Sequence, residues 1–330
     1  MTTREAVYAI LRRAGGKYVS GERISAALGV SRAAVNAAVQ TLRAEGCRIR
    51  SATRRGYLLE EAPDLLTAGE LAVWLPAERL ETVCCLETVD STNRRLRELA
   101  ADGAPEGQVL LADGQERGRG RFGRDFFSPR GQGVYLSMLL RPEGAPADAV
   151  SLTAWAAAAV CGAVSRVCGV RPGIKWVNDL ILDGRKVCGI LTEMLLESES
   201  GCIQNVIVGV GLNVAETEQD FPEALRATAT SLREAAGRRF SRAQLAAEII
   251  AALDGLRRDW PGEKARYLRE YRAAGVTVGR RVCVEHGGER FCAEAVAVND
   301  DFSLAVRRDD GRLENLSGGE VRVRGLCGQK

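Results

Sequence analysis

The chain of 330 residues carries 46 Lys and Arg against 43 Asp and Glu, one His and ten Cys, with a formal net charge of +3 at pH 7. That length exceeds one ordinary core, so two or three domains are expected, and no apolar run reaches the roughly 20 residues that a bilayer span needs. The start, Met1-Thr2-Thr3-Arg4-Glu5, leads into an amphipathic helix and not a signal peptide, which predicts a cytoplasmic protein with reduced thiols used mostly as core filler. Without a Cys-x-x-Cys pair, and with His286 the sole histidine, the composition argues against a zinc site and against a histidine general base. Any chemistry falls to Lys, Arg, Asp, Glu and backbone dipoles.

Residues 4 to 14 repeat apolar side chains at helical spacing and stop at Gly15-Gly16. From Tyr18 to Leu42 the pattern is helix, tight turn at Gly29 and a second helix capped by Ser31, the helix-turn-helix arrangement. Ser31, Arg32, Asn36 and Gln40 are polar where a recognition helix meets the major groove. A basic hairpin from Cys47 to Leu59, with Arg54 and Arg55, reads as a wing. Basic residues far outnumber Glu5, Glu22 and Glu45 in this stretch, so the first domain, residues 1 to 62, is expected to face DNA. Glu60 to Asp64 reverses the charge and breaks the pattern, and a linker is placed there.

A second domain is predicted over residues 63 to 275. Its first strand, 83 to 88, runs into Asp90-Ser91-Thr92-Asn93, which as a lone motif reads as a helix cap, although side-chain donors gathered at a helix N-terminus can also read a small polar ligand. Strands at 108 to 112 and 133 to 140 bracket Gln115-Glu116-Arg117-Gly118-Arg119-Gly120-Arg121-Phe122-Gly123-Arg124. Glycine leaves backbone N–H groups unshielded and arginine brings donor forks that stay charged, so this loop suits an anionic ligand. On composition alone it equally reads as a solvated Gly/Arg tract; its position between two strands favours a functional loop.

An alanine-rich helix follows at 148 to 169, then a hairpin of residues 174 to 182 and 185 to 194 about the Asp183-Gly184 turn, with Asn178 and Asp179 interrupting an apolar strand. Lys186 precedes a buried run, and taken singly it reads as a side chain snorkelling outward. The strand 205 to 214 carries Gly209 and Gly211 where a ligand or another backbone comes close. Helices at 222 to 235 and 241 to 273 close this domain, and short strands at 281 to 285, 290 to 299, 303 to 307 and 319 to 324 predict a third, residues 276 to 330, of SH3-like barrel type. The whole is read as an α+β chain.

Taken in order, Asp90-Ser91-Thr92-Asn93, Gln115 to Arg124, Lys175-Trp176-Val177-Asn178-Asp179-Leu180, Arg185 to Leu191 and Val208-Gly209-Val210-Gly211-Leu212-Asn213 closely resemble the biotin protein ligases. With the winged helix and late barrel, the chain looks like the bifunctional bacterial form, both ligase and biotin-operon repressor. The resemblance implies a mixed-sheet ligase domain and two steps: biotin and MgATP give biotinyl-5′-AMP and pyrophosphate, and the acyl group then passes to a lysine of biotin carboxyl carrier protein. It further implies that Ser91, Thr92, Asn93, Gln115 and Gly189 line the biotin site, with Arg119, Gly120 and Arg121 over the acyl-adenylate. Lys186 would meet the reacting carboxylate or phosphate, and Asp179 would orient the incoming lysine. Arg119, Arg121, Arg124, Phe126, Asn178 and Arg324 would serve the nucleotide. Phe122 stands where arginine is common, Val177 where proline is common and Phe126 where tryptophan is common.

Two other readings stay open on sequence: a vitamin-sensing transcription factor without ligase activity, and lipoate or octanoate ligation on a related fold. If the chain represses, two DNA-binding heads on a two-fold dimer are needed to read an operator, and the strands 187 to 194 and 206 to 214 are candidate sheet edges for such a homodimer, formed when biotinyl-5′-AMP is bound.

Overall fold

The computed structural model describes residues 1–143, 151–197, 202–286 and 288–323. The first helix, α1 (Thr3–Arg13), starts with a reciprocal cap between Thr2 and Glu5. α2 (Gly21–Leu28) ends at Gly29, whose φ of 64° lies in the left-handed region, and α3 (Arg32–Ala44) begins with Ser31 accepting from the Ala34 N–H at 3.1 Å. β1 (Arg48–Ala52) and β2 (Gly56–Glu61) form the antiparallel wing. Val7, Leu11, Ile24, Val35, Val39 and Leu42 are buried between these elements, because apolar residues three and four apart share one helix face.

The expected linker is packed on both sides. α4 (Ala68–Leu71) lies against α1, where the buried Glu70 accepts from the Tyr8 hydroxyl. Asp64 accepts from the Arg242 backbone N–H at 3.1 Å and from Nε at 2.9 Å, and Arg242, itself only 1% exposed, also reaches Asp113 at 2.6 Å. Charge reversal in a sequence therefore marked a change of packing partner here and not a free tether.

After the short α5 (Ala77–Leu80) come β3 (Val83–Val89), α6 (Thr92–Ala101), β4 (Val109–Gln115), β5 (Gly133–Leu140) and α7 (Leu152–Cys168). β6 (Gly173–Lys175), β7 (Asp179–Leu182), β8 (Arg185–Leu196) and β9 (Ile203–Asn213) complete a seven-stranded sheet of order β3-β4-β5-β9-β8-β7-β6 in which only β3 and β4 run parallel. α6 covers one face of it. α7, α10 (Arg242–Asp259) and α11 (Lys264–Ala274) cover the other, so every residue of β5 is buried and α7 is apolar nearly all round.

Three expectations change here. The strand read over 174 to 182 is two strands joined by a turn at Trp176, Val177 and Asn178, which is why the polar Asn178 and Asp179 are tolerated there. The helices read at 222 to 235 and 241 to 273 are each broken: α8 (Glu223–Arg226) and α9 (Leu232–Ala236) in the first, α10 and α11 in the second, where Pro261 lacks the N–H a continuous helix requires. β8 and β9 are interior strands, not edges; β7, however, pairs with β8 only as far as Gly189, leaving Leu191 to Leu196 open on that side.

The last domain is a five-stranded antiparallel sheet of β10 (Arg281–His286), β11 (Glu289–Val298), β12 (Leu304–Arg308), β13 (Leu313–Leu316) and β14 (Glu320–Val323), in the order β13-β12-β11-β10-β14. β13 was not expected, since only Leu316 of its four residues is buried and no alternation announces it. Arg324 lies outside the described residues. No helix among the described residues is long and apolar enough to cross a membrane.

Glu216 is fully buried beside the Tyr135 hydroxyl, at 3.5 Å, and that burial pushes its carboxyl up to about 7. A carboxyl with a raised folded value binds its proton more tightly folded than unfolded, so stability is present at low pH and is lost as pH rises from 4.5 through about 7. Glu216→Gln is therefore expected to remove a loss of about 3 kcal/mol, making the variant more stable than the parent near pH 8 but not near pH 5, as urea unfolding at the two pH values will show.

Candidate active site

The floor of the site is bare backbone. Gly189 on β8 and Gly209 and Gly211 on β9 face one side of the sheet, and a Cβ at Gly211 would stand 2.5 Å from the Phe126 ring, one at Gly189 2.9 Å from Lys186 Nζ, and one at Gly209 on the Asn93 amide. Other segments thus lie directly on the sheet where these side chains are missing.

The first of them is the start of α6, and there the reading of Asp90-Ser91-Thr92-Asn93 as an ordinary cap is overturned. Ser91 makes no side-chain capping bond, Ser91, Thr92 and Asn93 are all buried, and Thr92 and Asn93 face the sheet. The Thr92 backbone N–H and hydroxyl lie 2.9 and 3.1 Å from Gln115 Oε1. Ser137 Oγ sits 2.6 Å from Asn93 Oδ1 and 2.8 Å from Thr92 Oγ1, while Asn93 Nδ2 donates to Glu193 at 2.8 Å. Gln115 Nε2 donates to Ser128 Oγ, 2.8 Å, so both ends of its amide are held.

The second is the Gly/Arg loop, which closes on itself. Gly120 N–H donates to Arg124 O at 2.7 Å and Phe126 N–H to Gly118 O at 2.8 Å, with a tight turn at Arg121–Gly123 where Phe122 has a φ of 58° and an exposed ring. A Cβ at Gly118 would collide with Phe126 O, so glycine is obligatory there. Arg121 donates to Asn178 Oδ1 at 3.1 Å and to Gly319 O at 3.0 Å, joining the loop to the β6–β7 turn and to the last domain. Arg124 is paired with Glu320. Arg119 is exposed and has no ion-pair partner among the described residues.

The third is the β6–β7 turn. Trp176 donates through its backbone to Thr277 and through its indole to Phe302 O, both at 2.9 Å, and the Tyr271 hydroxyl donates to Val177 O at 3.2 Å. Asn178 Nδ2 donates to Ile190 O at 2.8 Å. Lys186, expected singly to snorkel outward, instead turns inward: its ammonium is 2.6 Å from Asp179 Oδ1, a close ionic contact more than an aligned hydrogen bond, and 5.8 Å from the Phe126 ring centre. Its own backbone is held by Thr228 and Thr230, so the charge has a fixed root.

These segments enclose one open cleft lined by Ser91, Thr92, Asn93, Gln115, Arg119, Gly120, Arg121, Arg124, Phe126, Asn178, Asp179, Lys186 and Gly189. Set beside known proteins, residues 85–213 match the Biotin/lipoate A/B protein ligase family and residues 3–58 an HTH domain. The chain is 34% identical over 314 residues to the bifunctional ligase/repressor BirA of Bacillus subtilis, covering 94% of this chain and 95% of that one. It belongs to the bifunctional ligase/repressor family of biotin protein ligases. To the BirA of Escherichia coli it is 31% identical over 312 residues, 94% of each chain. The Aquifex aeolicus biotin protein ligase solved in complex with biotin and ATP shares the fold with a TM-score of 0.62 at 25% identity, over 73% of this chain and 98% of that one.

Within this ligase domain, several cleft-side residues escaped the sequence reading. Lys175 lines the cleft at 9% exposure without an ion-pair partner among the described residues; it stood inside a quoted motif, and its burial was the missing signal. Ser137, Ser128 and Glu193 hold the floor's hydrogen bonds, and nothing in their local sequence distinguishes them from strand filler. Ser31, Arg32, Asn36, Gln40, Arg54 and Arg55 are all exposed on the first domain, with Arg55 stacked 4.2 Å over the Tyr18 ring.

Overpacking a filled site costs about 1–3 kcal/mol. Gly209→Ala is expected at the upper end, because Asn93 is pinned by its hydrogen bonds, and Gly211→Ala at the lower, because the Phe126 ring borders the open cleft and can swing. Denaturant unfolding of the two variants checks the ranking, and equal losses would contradict it.

Proposed function

We propose that this cleft activates biotin with ATP to biotinyl-5′-AMP and transfers the acyl group to a lysine of biotin carboxyl carrier protein. The observation that carries the reading is the meeting, in one cleft, of a polar floor and several cations: buried Ser91, Thr92 and Asn93 with half-buried Gln115 below, Lys175, Lys186, Arg119 and Arg121 beside it. The floor suits the ureido head of biotin, whose N–H and C=O groups need buried partners. The cations suit a carboxylate and a triphosphate, two anions that repel unless the site neutralises both. Phe126 offers a flat face to adenine, with Asn178 beside it and Arg324 as a further nucleotide contact.

In the first step a biotin carboxylate oxygen attacks the α-phosphorus, the C(O)–O–P bond forms, the bond to the β-phosphate oxygen breaks, and pyrophosphate leaves. Mg²⁺ enters as the partner of the triphosphate; among the described residues no three acidic, His or Cys side chains converge to hold it independently. Lys186 and Arg121 hold the new charge at the acyl phosphate. In the second step a neutral lysine amine attacks the carbonyl carbon, the amide forms, and AMP departs with the bonding pair. As Lys186 turns to the substrate anion, Asp179 is released to orient the amine and take its proton. This set of charges favours catalysis over vitamin sensing alone.

The domains are proposed to divide as residues 1–62, 63–275 and 276–330, with α3 and the wing carrying Ser31, Arg32, Asn36, Gln40, Arg54 and Arg55 to operator DNA. Binding of biotinyl-5′-AMP is proposed to favour a homodimer through the open β8 edge beyond Gly189, where Met194, Leu195 and Leu196 are 38%, 42% and 42% exposed.

Lys186→Ala and Arg121→Ala are each expected to lower the rate of biotin-dependent pyrophosphate release by about 100-fold or more with the fold intact, since each removes a preorganised charge. Near-parental rates in both, or equal turnover with lipoate in the parent, would overturn the assignment. Sedimentation with and without biotinyl-5′-AMP is expected to show a rise in mass on adding ligand, and an unchanged association state would remove the ligand-driven dimer.

A further inference from the structure

Two of the cysteines are not core filler. Cys283 on β10 and Cys292 on β11 face each other directly across the antiparallel register, with their sulfur atoms 3.3 Å apart. Their strand neighbours Val282 and Val284 are fully buried and Ala293 is too, so the alternation of the strands puts both thiols on the outer face of the sheet, Cys292 exposed and Cys283 partly so. A surface position exerts no packing demand for sulfur, and a pair placed opposite one another in neighbouring strands is a different object from two buried thiols.

Two arginines stand near the pair, each already held by a carboxylate, Arg281 by Asp309 and Arg322 by Glu320. Arg281 lies two residues before Cys283 on the same face, and Arg322 on β14 pairs in register with Cys283 from the other side. The two sulfurs share a hydrogen bond, which raises Cys292. Among the described residues no third metal ligand joins them, which sets the pair apart from a structural metal site. Closing 3.3 Å to the roughly 2.0 Å of a disulfide needs side-chain rotation and little movement of strands that are already paired on either side.

We propose that Cys283 and Cys292 form a redox-active dithiol, a modification site that low-molecular-weight disulfides convert to an intramolecular disulfide. One thiolate attacks a sulfur of the small disulfide, forming a mixed disulfide and releasing one small thiolate. The second cysteine sulfur then attacks the protein sulfur of that mixed disulfide, the cross-strand bond forms, and the second small thiolate leaves. The two electrons lost by the protein are gained by the small disulfide, and the two cysteine protons end on the two released thiols. The bond would lie one strand from the cleft, since Arg322 Nε donates at 2.8 Å to Glu320, the carboxylate that holds Arg124 of the loop.

The test uses the full chain with glutathione disulfide. Trypsin cuts after Arg281, Arg290 and Arg307, so Cys283 and Cys292 fall in separate peptides, 282–290 and 291–307. After treatment these peptides are expected to run as one species by mass spectrometry without reductant and as two after reduction. In Cys283→Ser the joined species is expected to vanish and glutathione to remain on Cys292. Persistence of glutathione on Cys292 in the parent chain, or joining of either peptide to another cysteine at equal or higher yield, would overturn the proposal.

Discussion

The absence of side chains at Gly189, Gly209 and Gly211 is the constraint on which the rest of the site depends. A sheet covered on one face by α7, α10 and α11 would ordinarily be covered on the other by its own side chains, as it is where α6 packs over Leu110, Leu139 and Ile207. At the three glycines it is not, and the α6 N-terminus, Phe126 and Lys186 occupy that space against bare backbone. Burying Thr92 and Asn93 costs free energy unless each is bonded, and the bonds to Gln115, Ser137 and Glu193, with Ser128 holding Gln115 in turn, meet that demand while fixing the orientation of both amides. A preorganised polar surface follows from the packing, before any ligand arrives.

The charges above this floor are held in partnerships of unequal tightness. Arg124 is tied to Glu320, and Arg121 is pulled partly into the protein, where among the described residues it bonds to neutral oxygens of Asn178 and Gly319. Burial lowers the pKa of Arg121, an effect opposed chiefly by Asp179, so its charge finds compensation that an anionic ligand would strengthen. Lys186 and Asp179 are paired with one another, and the proposed reaction has them separate as the substrate anion takes the ammonium. On that proposal one carboxylate and one amine serve two steps without a covalent enzyme intermediate.

The same contacts join the three parts of the chain. Arg121 and Arg124 reach the last domain, Trp176 and Tyr271 fasten the turn beneath it, and Arg242 anchors Asp64 at the foot of the winged helix. Glu70, whose carboxyl is raised by burial, binds Tyr8 of α1 and so meets the first domain directly. Arg242 with Asp64 and Glu70 with Tyr8 hold the first domain to the ligase domain through side chains that were ordinary polar residues when read singly.

Much of this was legible in sequence because the signals were local. Gly29 with Ser31 set a helix-turn-helix by turn and cap chemistry, the spaced glycines of 118 to 123 excluded a helix, and Gly209 with Gly211 announced close approach on a strand. Most of what escaped was non-local. Whether Ser91 to Asn93 cap a helix or face a sheet depends on neighbours such as Ser137 and Gly209, far along the chain, and β13 pairs through backbone bonds that no side-chain pattern records; the break at Pro261, by contrast, was a local signal overridden by apolar spacing on both sides of it. The inward turn of Lys186 required Asp179 on the neighbouring strand, and the outward face of Cys283 and Cys292 required the register of β10 with β11. Sequence alone determined which chemical groups were present and which local shapes they permit; only the tertiary structure decided which of them are buried, paired or exposed, because those properties depend on neighbours that are distant in the chain.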